Sequence, residues 1–253
     1  MSQQEGQNVW FGIAMFLVGL VIGILLTIVS GLSVGGLSGR KAPTPSAPTQ
    51  QPQAPQANAQ DNMLAVVSEI GLDEDAFTAC TKDEGGELVQ RINQIMADGQ
   101  KAGVQGTPGN IIYSRKAKQG VLVAGARPLA DFKKNIDEMM KNGKYAPTDG
   151  SATVTTSVTP IASSEFILGN EKADIVIIEY SDYECPFCHR VHPTLQQLMT
   201  DYDGKIAWVF RHYPLPPTMH PNAMPMAIGA ECAAAQGGAD AFWAYTDALM
   251  SQN

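Results

Sequence analysis

Two cysteines separated by two residues follow a short apolar run, and this arrangement constrains the fold of the chain more than any other feature. Residues 175–178 are β-branched and have the composition of a buried strand. The tetrapeptide Cys185-Pro186-Phe187-Cys188 comes next and opens an amphipathic segment. Proline suits the first position of a helix, because its missing N–H would have no partner there. The sequence therefore predicts a strand, a turn and a helix that together carry a dithiol spaced for reversible disulfide chemistry.

The two cysteines should differ in reactivity. The unpaired N–H groups at the start of a helix favour a thiolate over a thiol. We therefore expect Cys185 to be partly exposed and to act as the nucleophile. Cys188, one turn further along the helix, should be its buried partner, which resolves or re-forms the disulfide.

Two other kinds of site use the same cysteine spacing. A zinc half-site normally needs a second cysteine pair or nearby histidines, and the remaining cysteines, Cys80 and Cys232, stand alone in the sequence. Cys185, Cys188 and His189 also match the attachment pattern of a c-type haem. The strand before the pair and the helix after it favour redox chemistry, so we expect no metal and keep haem binding as an alternative.

The first 60 residues have the composition of an anchor and a spacer. Residues 9–30 are almost wholly apolar, which as a helix is long enough to cross about 30 Å of hydrocarbon. A signal peptide would have a shorter apolar region and a small-residue cleavage site. Residues 38–60 contain five prolines among Ala, Gln, Ser and Thr, as extended linkers do. We predict a transmembrane anchor over residues 1–37, a linker over 38–60 and one folded domain over 61–253.

Charge limits the partners of this domain. The formal net charge of −8 argues against binding to nucleic acid. Arg40 and Lys41 follow the apolar span and only Glu5 precedes it, a bias that favours a cytoplasmic domain. The even number of cysteines and the disulfide chemistry argue for an oxidising compartment instead. We expect the domain to lie on the outer face of the membrane.

Hydrophobic periodicity gives the order of helices and strands in this domain. Asp73 is a candidate N-cap, and Phe132, Ile136 and Met140 should face the core from one helix. Helices are predicted over 61–70, 73–82, 87–102, from 129 onward, after Cys185, over 222–235 and over 239–250. Strands are predicted over 110–114, 121–124, 174–180 and 205–210, with a short edge strand over 153–158.

Two stretches resemble DsbA-like thiol:disulfide oxidoreductases of the thioredoxin superfamily. Residues 166–250, which include DIVIIEYSDYECPFCHRVHP, resemble the first half of that family, and residues 71–140, which include GVQGTPGNIIYS, resemble the second half. The resemblance implies an α/β, thioredoxin-like fold with a helical insertion, preceded by one transmembrane helix. The halves stand in permuted order, with 61–142 as the second half, 143–165 as a connector and 166–253 as the half with the cysteine pair. The alternative to closure within one chain is exchange of halves with a neighbouring molecule.

The resemblance also implies roles for single residues. Thr107-Pro108 would be the loop that holds a cis peptide bond facing the disulfide, and Glu179 the proton acceptor beneath the resolving cysteine. From the residues alone, Pro108 could equally be an ordinary turn proline. The alternative is a Glu179 that faces solvent, because the facing of a strand residue depends on register. Asp182 and Glu184 are expected to be solvated turn residues.

Substrate binding is implied for Thr107, Pro108, Pro186 and Phe187. The backbone at Thr107 could pair with an extended substrate segment. The side chains of Pro186 and Phe187 offer no cation or hydrogen bond to the thiolate. We therefore predict a less oxidising enzyme than relatives with histidine between the cysteines.

Two interpretations are open for Cys80 and Cys232. They could form a structural disulfide that closes a loop of about 150 residues, worth several kcal/mol in the chain-entropy model. They could also be two buried free thiols that behave as small apolar side chains.

The predicted activity is disulfide exchange with thiol-containing protein substrates at a bacterial inner or cytoplasmic membrane, in the direction of disulfide formation. No dissociable cofactor is implied, and by family analogy a membrane quinone-linked partner would reoxidise the cysteine pair. Reductase or isomerase activity is the enzymatic alternative. The non-enzymatic alternative is a chaperone or a haem-binding module.

Overall fold

The computed structural model describes residues 59–143, 147 and 152–252. The anchor predicted over 1–37 and the linker up to residue 58 lie outside the described residues. Within the described residues, no helix combines the length and the apolar character needed to cross a membrane.

Six helices and six strands make up the described part of the chain. The helices are α1 (Ala59–Glu69), α2 (Glu74–Thr81), α3 (Glu87–Lys101), α4 (Leu129–Asn142), α5 (Pro186–Asp201) and α6 (Ala223–Met250). The strands are β1 (Gly109–Ser114), β2 (Gln119–Ala124), β3 (Thr153–Thr155), β4 (Ile167–Gly169), β5 (Ile175–Ser181) and β6 (Ile206–His212).

All six strands form one mixed sheet, in the order β3-β2-β1-β5-β6-β4. Strands β5 and β6 are parallel and are joined through α5, and every other neighbouring pair is antiparallel. Strand β1 therefore joins a hairpin from the first half of the chain to strands from the second half. Its start lies opposite the end of β5, with Gly109 paired to Tyr180.

Each face of the sheet supports its own apolar core. Alternate strand residues point to opposite faces, so Ile112, Ile177 and Trp208 belong to one core while Ile111 and Ile178 belong to the other. The first core also contains the apolar faces of α4, α5 and α6. The central strands β1, β5 and β6 are buried along their whole length, as expected for strands covered on both faces.

Most predicted elements are present, and their differences from the prediction have local causes. Asp73 caps α2 and accepts a hydrogen bond from the backbone N–H of Ala76 at 2.7 Å, which confirms the predicted N-cap. In α4 the core residue is Met139, fully buried, whereas Met140 is 38% exposed. The prediction of Met140 was wrong by one residue, because the inward face continues from Ile136 at a spacing of three rather than four.

One glycine interrupts the last helix. Gly238 has φ of 65° and ψ of −148° inside α6, a backbone conformation that favours glycine. The helix thus consists of two segments that meet at this residue, close to the boundary predicted between 222–235 and 239–250. Strand β4 was not predicted.

A disulfide joins a helix near the start of the described chain to the helix at its end. Cys80 in α2 is bonded to Cys232 in α6 across 152 residues of sequence. Helices α1, α2 and α3 all contact α6, so the cross-link lies within a helical layer built from both ends of the domain.

Replacing Cys80 and Cys232 together by alanine should lower the free energy of unfolding by about 2–5 kcal/mol, because the unfolded chain is no longer closed into a long loop. Urea denaturation followed by circular dichroism measures this change. Wild-type protein whose disulfide has been reduced should lose a similar amount. An unchanged midpoint in both samples would mean that the cross-link contributes nothing to stability.

Candidate active site

The turn between β5 and α5 places the cysteine pair at the start of a helix. Cys185 is the N-cap residue of α5, and Pro186 is the first residue of the helix. The backbone N–H of Cys185 donates to the carbonyl of Asp182, and the N–H groups of Cys188 and His189 donate to the carbonyl of Cys185. The first sulfur therefore stands where the helix dipole is positive.

The loop before β1 lies against this helix start. The Thr107–Pro108 peptide bond is cis, and the Cys185 thiol donates to the carbonyl oxygen of Thr107 at 3.5 Å. The antiparallel register of β1 with β5 causes this contact, because the residue that starts β1 faces the residues that end β5. The structure thus brings together Thr107, Pro108 and Cys185 within one chain.

The two thiols have very different surroundings. The hydrogen bond from the Cys188 thiol lowers the pKa of Cys185 to about 5, with further help from the backbone N–H groups of the helix start. Burial raises the pKa of Cys188, which is fully inaccessible to solvent. One cysteine is therefore suited to be a thiolate and the other to remain a thiol.

Cys185 is more buried than the sequence suggested. The prediction of a partly exposed cysteine was wrong, because only 3% of the residue is exposed and the Thr107 carbonyl lies over its sulfur. Phe187, two residues further along the chain, is 50% exposed. Access to the sulfur therefore depends on the loop that carries Pro108.

Glu179 lies at the centre of the sheet and faces the core that contains Cys188. It is fully buried, and the indole N–H of Trp208 donates to its Oε2 at 3.1 Å. Burial raises the pKa of this carboxyl, and the nearby charge of His192 opposes the rise. The other oxygen, Oε1, has no hydrogen-bond partner among the described residues.

Sequence reasoning did not identify His192 or Asp247. His192 is buried one helical turn after Cys188, and its Nε2 lies 2.7 Å from Oδ1 of Asp247 on α6. Its ring packs on the indole of Trp208 with 5.1 Å between the ring centres. The spacing of four residues from Cys188 was the available signal, because it places both side chains on one face of the helix.

Asp182 and Glu184 hold the turn between β5 and α5 in place through hydrogen bonds. The prediction that they are solvated was wrong for Asp182, which is 1% exposed, and Glu184 is only partly exposed. The Asp182 carboxylate accepts from the backbone N–H of Leu215 and lies 2.8 Å from Nδ1 of His220. Glu184 accepts from the backbone and side-chain amides of Asn222. These bonds tie the turn to the segment before α6.

His189 is held by two backbone carbonyls. Its Nε2 lies 2.6 Å from the carbonyl oxygen of Tyr183, and its Nδ1 lies 2.9 Å from that of Gln252. Both ring nitrogens are therefore engaged within the chain.

A groove runs beside the Thr107–Pro108 loop. Its volume is about 660 Å³, and it is lined by the end of α3, the loop itself, the end of β2 and the edge strand β3. Among the described residues, no group of three or more His, Cys, Asp or Glu side chains could hold a metal ion.

Comparison with known proteins gives matches to parts of the chain. A family model described as thioredoxin matches residues 162–253. The sheet and this match together give the described residues a mixed α/β, thioredoxin-like fold, and they support thiol–disulfide oxidoreductase chemistry in general.

Curated relatives are similar to this chain over only 13% of their own length. The Na(+)/H(+) antiporter NhaA 3 of Salinispora tropica is 38% identical over 87 residues, which are 34% of this chain and 13% of that protein. The Na(+)/H(+) antiporter NhaA 1 of Mycobacterium sp. is 39% identical over 83 residues, 32% of this chain and 13% of that protein. The chain thus spans about an eighth of the length of these relatives.

One solved structure is also similar. The crystal structure of Pseudomonas aeruginosa DsbA2 has 38% sequence identity, covers 37% of this chain and 50% of that chain, and gives a TM-score of 0.34.

The thiolate of Cys185 should disappear when the pH of the reduced protein falls through about 5. Absorbance at 240 nm reports the thiolate, and the signal should be lost in Cys185→Ser. In Cys188→Ala the midpoint should move upward, because the largest cause of the lowered pKa is removed. A midpoint that stays unchanged in Cys188→Ala would contradict this cause.

Glu179→Gln should change the pH dependence of stability. A carboxyl with a raised pKa binds its proton more tightly in the folded state, so stability falls as pH rises above the unfolded pKa of about 4.3. The glutamine variant should lack this fall and can still accept from Trp208. Urea unfolding at several pH values, in a Cys185→Ser background, measures the slope. The exposed Glu171→Gln is the matched control, and an equal slope in both variants would contradict the expectation.

Proposed function

We propose that this chain is a membrane-anchored thiol:disulfide oxidoreductase that exchanges disulfides with thiol-containing protein substrates and acts as an oxidase. The observation that carries the proposal is the unequal pair of thiols at one helix start, opposite a cis-proline loop. The pKa of Cys185 is lowered to about 5, that of Cys188 is raised, and Cys185 contacts Thr107.

The reaction begins with the disulfide between Cys185 and Cys188. A substrate thiolate attacks Sγ of Cys185, the bond between the two protein sulfurs breaks, and Cys188 leaves and takes up a proton. A second substrate thiolate then attacks the substrate sulfur of the mixed disulfide, and Cys185 leaves as a thiolate. The substrate has lost two electrons, which the protein holds as a dithiol. A membrane quinone-linked partner would then accept these electrons.

The low pKa of Cys185 favours the oxidising direction. A leaving thiol of low pKa leaves readily, and a stabilised thiolate stabilises the reduced enzyme, which makes its disulfide a stronger oxidant. The backbone N–H of Phe187 contributes to this stabilisation, but its side chain adds no cation or hydrogen bond, which favours a weaker oxidant and keeps the reductase or isomerase direction as the second candidate.

The groove beside Pro108 suits an extended polypeptide. Thr107 is only half-buried at one side of the groove, and its backbone would pair with the substrate on either side of the reacting cysteine. Phe187 and Met219 are 50% and 66% exposed, and they offer apolar contacts to an unfolded substrate. Affinity of this kind does not require a particular substrate sequence.

The halves of the domain are proposed to be circularly permuted relative to DsbA-like proteins. In support, β1 and β5 pair within one chain, and α1 packs against α6, so the segments that would be continuous in the family are neighbours. The described part of the connector supplies strand β3 and Glu165, which forms an ion pair with Arg211 at 2.7 Å.

Residues 1–37 are proposed to anchor the domain at the outer face of a bacterial inner or cytoplasmic membrane. The disulfide between Cys80 and Cys232 supports an oxidising compartment. The haem alternative has less support, because both ring nitrogens of His189 already face backbone carbonyls.

Oxidative refolding of a reduced, unfolded protein tests the activity. In a glutathione redox buffer that supplies the oxidant, detergent-solubilised full-length chain should accelerate refolding, Cys185→Ser should abolish the effect, and Cys188→Ser should accumulate a mixed disulfide with the substrate. The Cys80→Ala, Cys232→Ala double variant is the control that keeps the reactive pair. Refolding at the wild-type rate with Cys185→Ser would overturn the proposal, and faster insulin reduction than refolding would assign the reductase direction.

A further inference from the structure

A cluster of buried polar side chains lies beneath Cys188. Asn110 and Glu179 are opposite one another in the β1–β5 register, so both point to the same face of the sheet. Ser181, two residues beyond Glu179, points to that face as well. Together with His192 on α5 these residues form the inner polar cluster, which is at most 1% exposed at every position.

The inner polar cluster has more hydrogen-bonding capacity than it uses. Among the described residues, Nδ1 of His192 and both side-chain polar atoms of Asn110 have no hydrogen-bond partner, and Oε1 of Glu179 lacks one of standard geometry. The Ser181 hydroxyl lies close enough to lower the pKa of both Glu179 and Cys188. Buried polar atoms are usually paired, because leaving one unpaired costs free energy. Such a cluster is costly as a purely structural feature, which points to a role in the chemistry next to it.

His192 connects this cluster to the surface. Its Nε2 is bonded to Asp247, whose side chain is 43% exposed, while the His192 side chain is 1% exposed. Its other nitrogen, Nδ1, is one of the unpaired atoms. The imidazole ring can accept a proton at one nitrogen and release one at the other.

The remaining titratable groups around Glu179 do not offer this connection. Cys185 and Cys188 are the reacting thiols, and Tyr183 is buried with its hydroxyl bonded to Thr246. Strand β6 contributes Trp208, Phe210 and His212 on this side, and of these only His212 titrates. Its Nε2 lies 3.3 Å from the buried carboxylate of Glu231, whose other partner is Arg91, a side chain that does not release its proton. His192 is the histidine whose charge acts on Glu179, and its partner Asp247 reaches solvent.

Disulfide exchange requires such a connection. Cys188 must lose a proton each time it closes the disulfide and regain one each time it leaves, yet its side chain is fully buried. A single carboxyl beneath it can hold one proton but must then pass that proton on.

We propose that His192 and Asp247 are positioning residues that relay protons between Glu179 and solvent, an inference that rests on the disulfide exchange proposed above. When Cys188 attacks Sγ of Cys185 in a mixed disulfide, the Cys185–substrate bond breaks and the substrate leaves as a thiolate. The Cys188 proton moves to Glu179. A water molecule carries it from there to Nδ1 of His192, because no direct hydrogen bond joins Glu179 to this nitrogen, and the proton on Nε2 passes through Asp247 to bulk water. The opposite direction uses the same path in reverse.

Full-length reduced protein and oxidised glutathione separate the two steps. Cys185 first attacks glutathione, which needs no proton from Cys188, and Cys188 then closes the protein disulfide, which does. Acid quenching followed by mass spectrometry resolves the reduced, mixed-disulfide and oxidised forms over time. The first step serves as an internal control in every variant.

His192→Gln should slow closure about 10-fold near pH 7 and leave the first step unchanged. The deficit should shrink as pH rises, because hydroxide then replaces the relay as the acceptor of the Cys188 proton. Asp247→Asn, at an exposed position that tolerates the change, should show a smaller deficit with the same pH trend. Imidazole in solution should restore closure in His192→Ala.

Gln196→Ala is the matched control. Gln196 donates to Asp247 at 3.3 Å and lies 3.4 Å from Nε2 of His192, so its loss loosens the same contact without removing a titratable group. Closure at the wild-type rate is expected. Slowing that is the same at every pH, or wild-type closure in both His192→Gln and Asp247→Asn, would overturn the relay and leave the proposed function standing. Wild-type protein that forms no mixed disulfide would overturn both.

Discussion

The antiparallel ladder between β1 and β5 determines the geometry of the site. It sets the start of one strand against the end of the other, so the loop that enters β1 must lie beside the turn that leaves β5. The contact between Thr107 and Cys185 spans 78 residues of sequence and follows from this pairing alone. A shift of the register by one residue would turn Asn110 and Glu179 toward the opposite core and remove the polar groups from beneath Cys188.

The chemistry of the pair depends on the hydrogen bond between the two thiols and on the burial of the second one. At the helix start, the hydrogen bond from the Cys188 thiol and then the backbone N–H groups lower the pKa of Cys185. Cys188 lies one turn deeper, where burial raises its pKa. The nearby carboxyl of Glu179 experiences the same burial. A helix that begins just after a central strand thus gives one reactive thiolate and one buried thiol from identical side chains.

The local features were predictable from sequence, and the long-range contacts were not. The strand before Cys185, the helix after it and the Asp73 cap follow from residue patterns within a few positions. Strand β4 has three residues and ends at a glycine, too little for a periodic signal. The burial of Cys185 depends on Thr107, and that of Asp182 on the segment near Leu215, so neither could be read from the neighbouring residues. The pairing of His192 with Asp247 joins two helices through residues 55 positions apart in sequence. Apart from the helical spacing of His192 from Cys188, nothing in the neighbouring sequence indicated it.

The cross-link between α2 and α6 has a consequence for biosynthesis. Chains are made from the N-terminus, and Cys80 precedes Cys185 and Cys188, while its bonded partner Cys232 comes last of the four. In an oxidising compartment the emerging chain therefore offers Cys80 two wrong partners before the right one. Burial of Cys188 beneath the sheet removes one of these competitors only after β1 and β5 have paired. Correct maturation thus requires either rapid docking of the central strands or later thiol exchange that corrects an early mismatch.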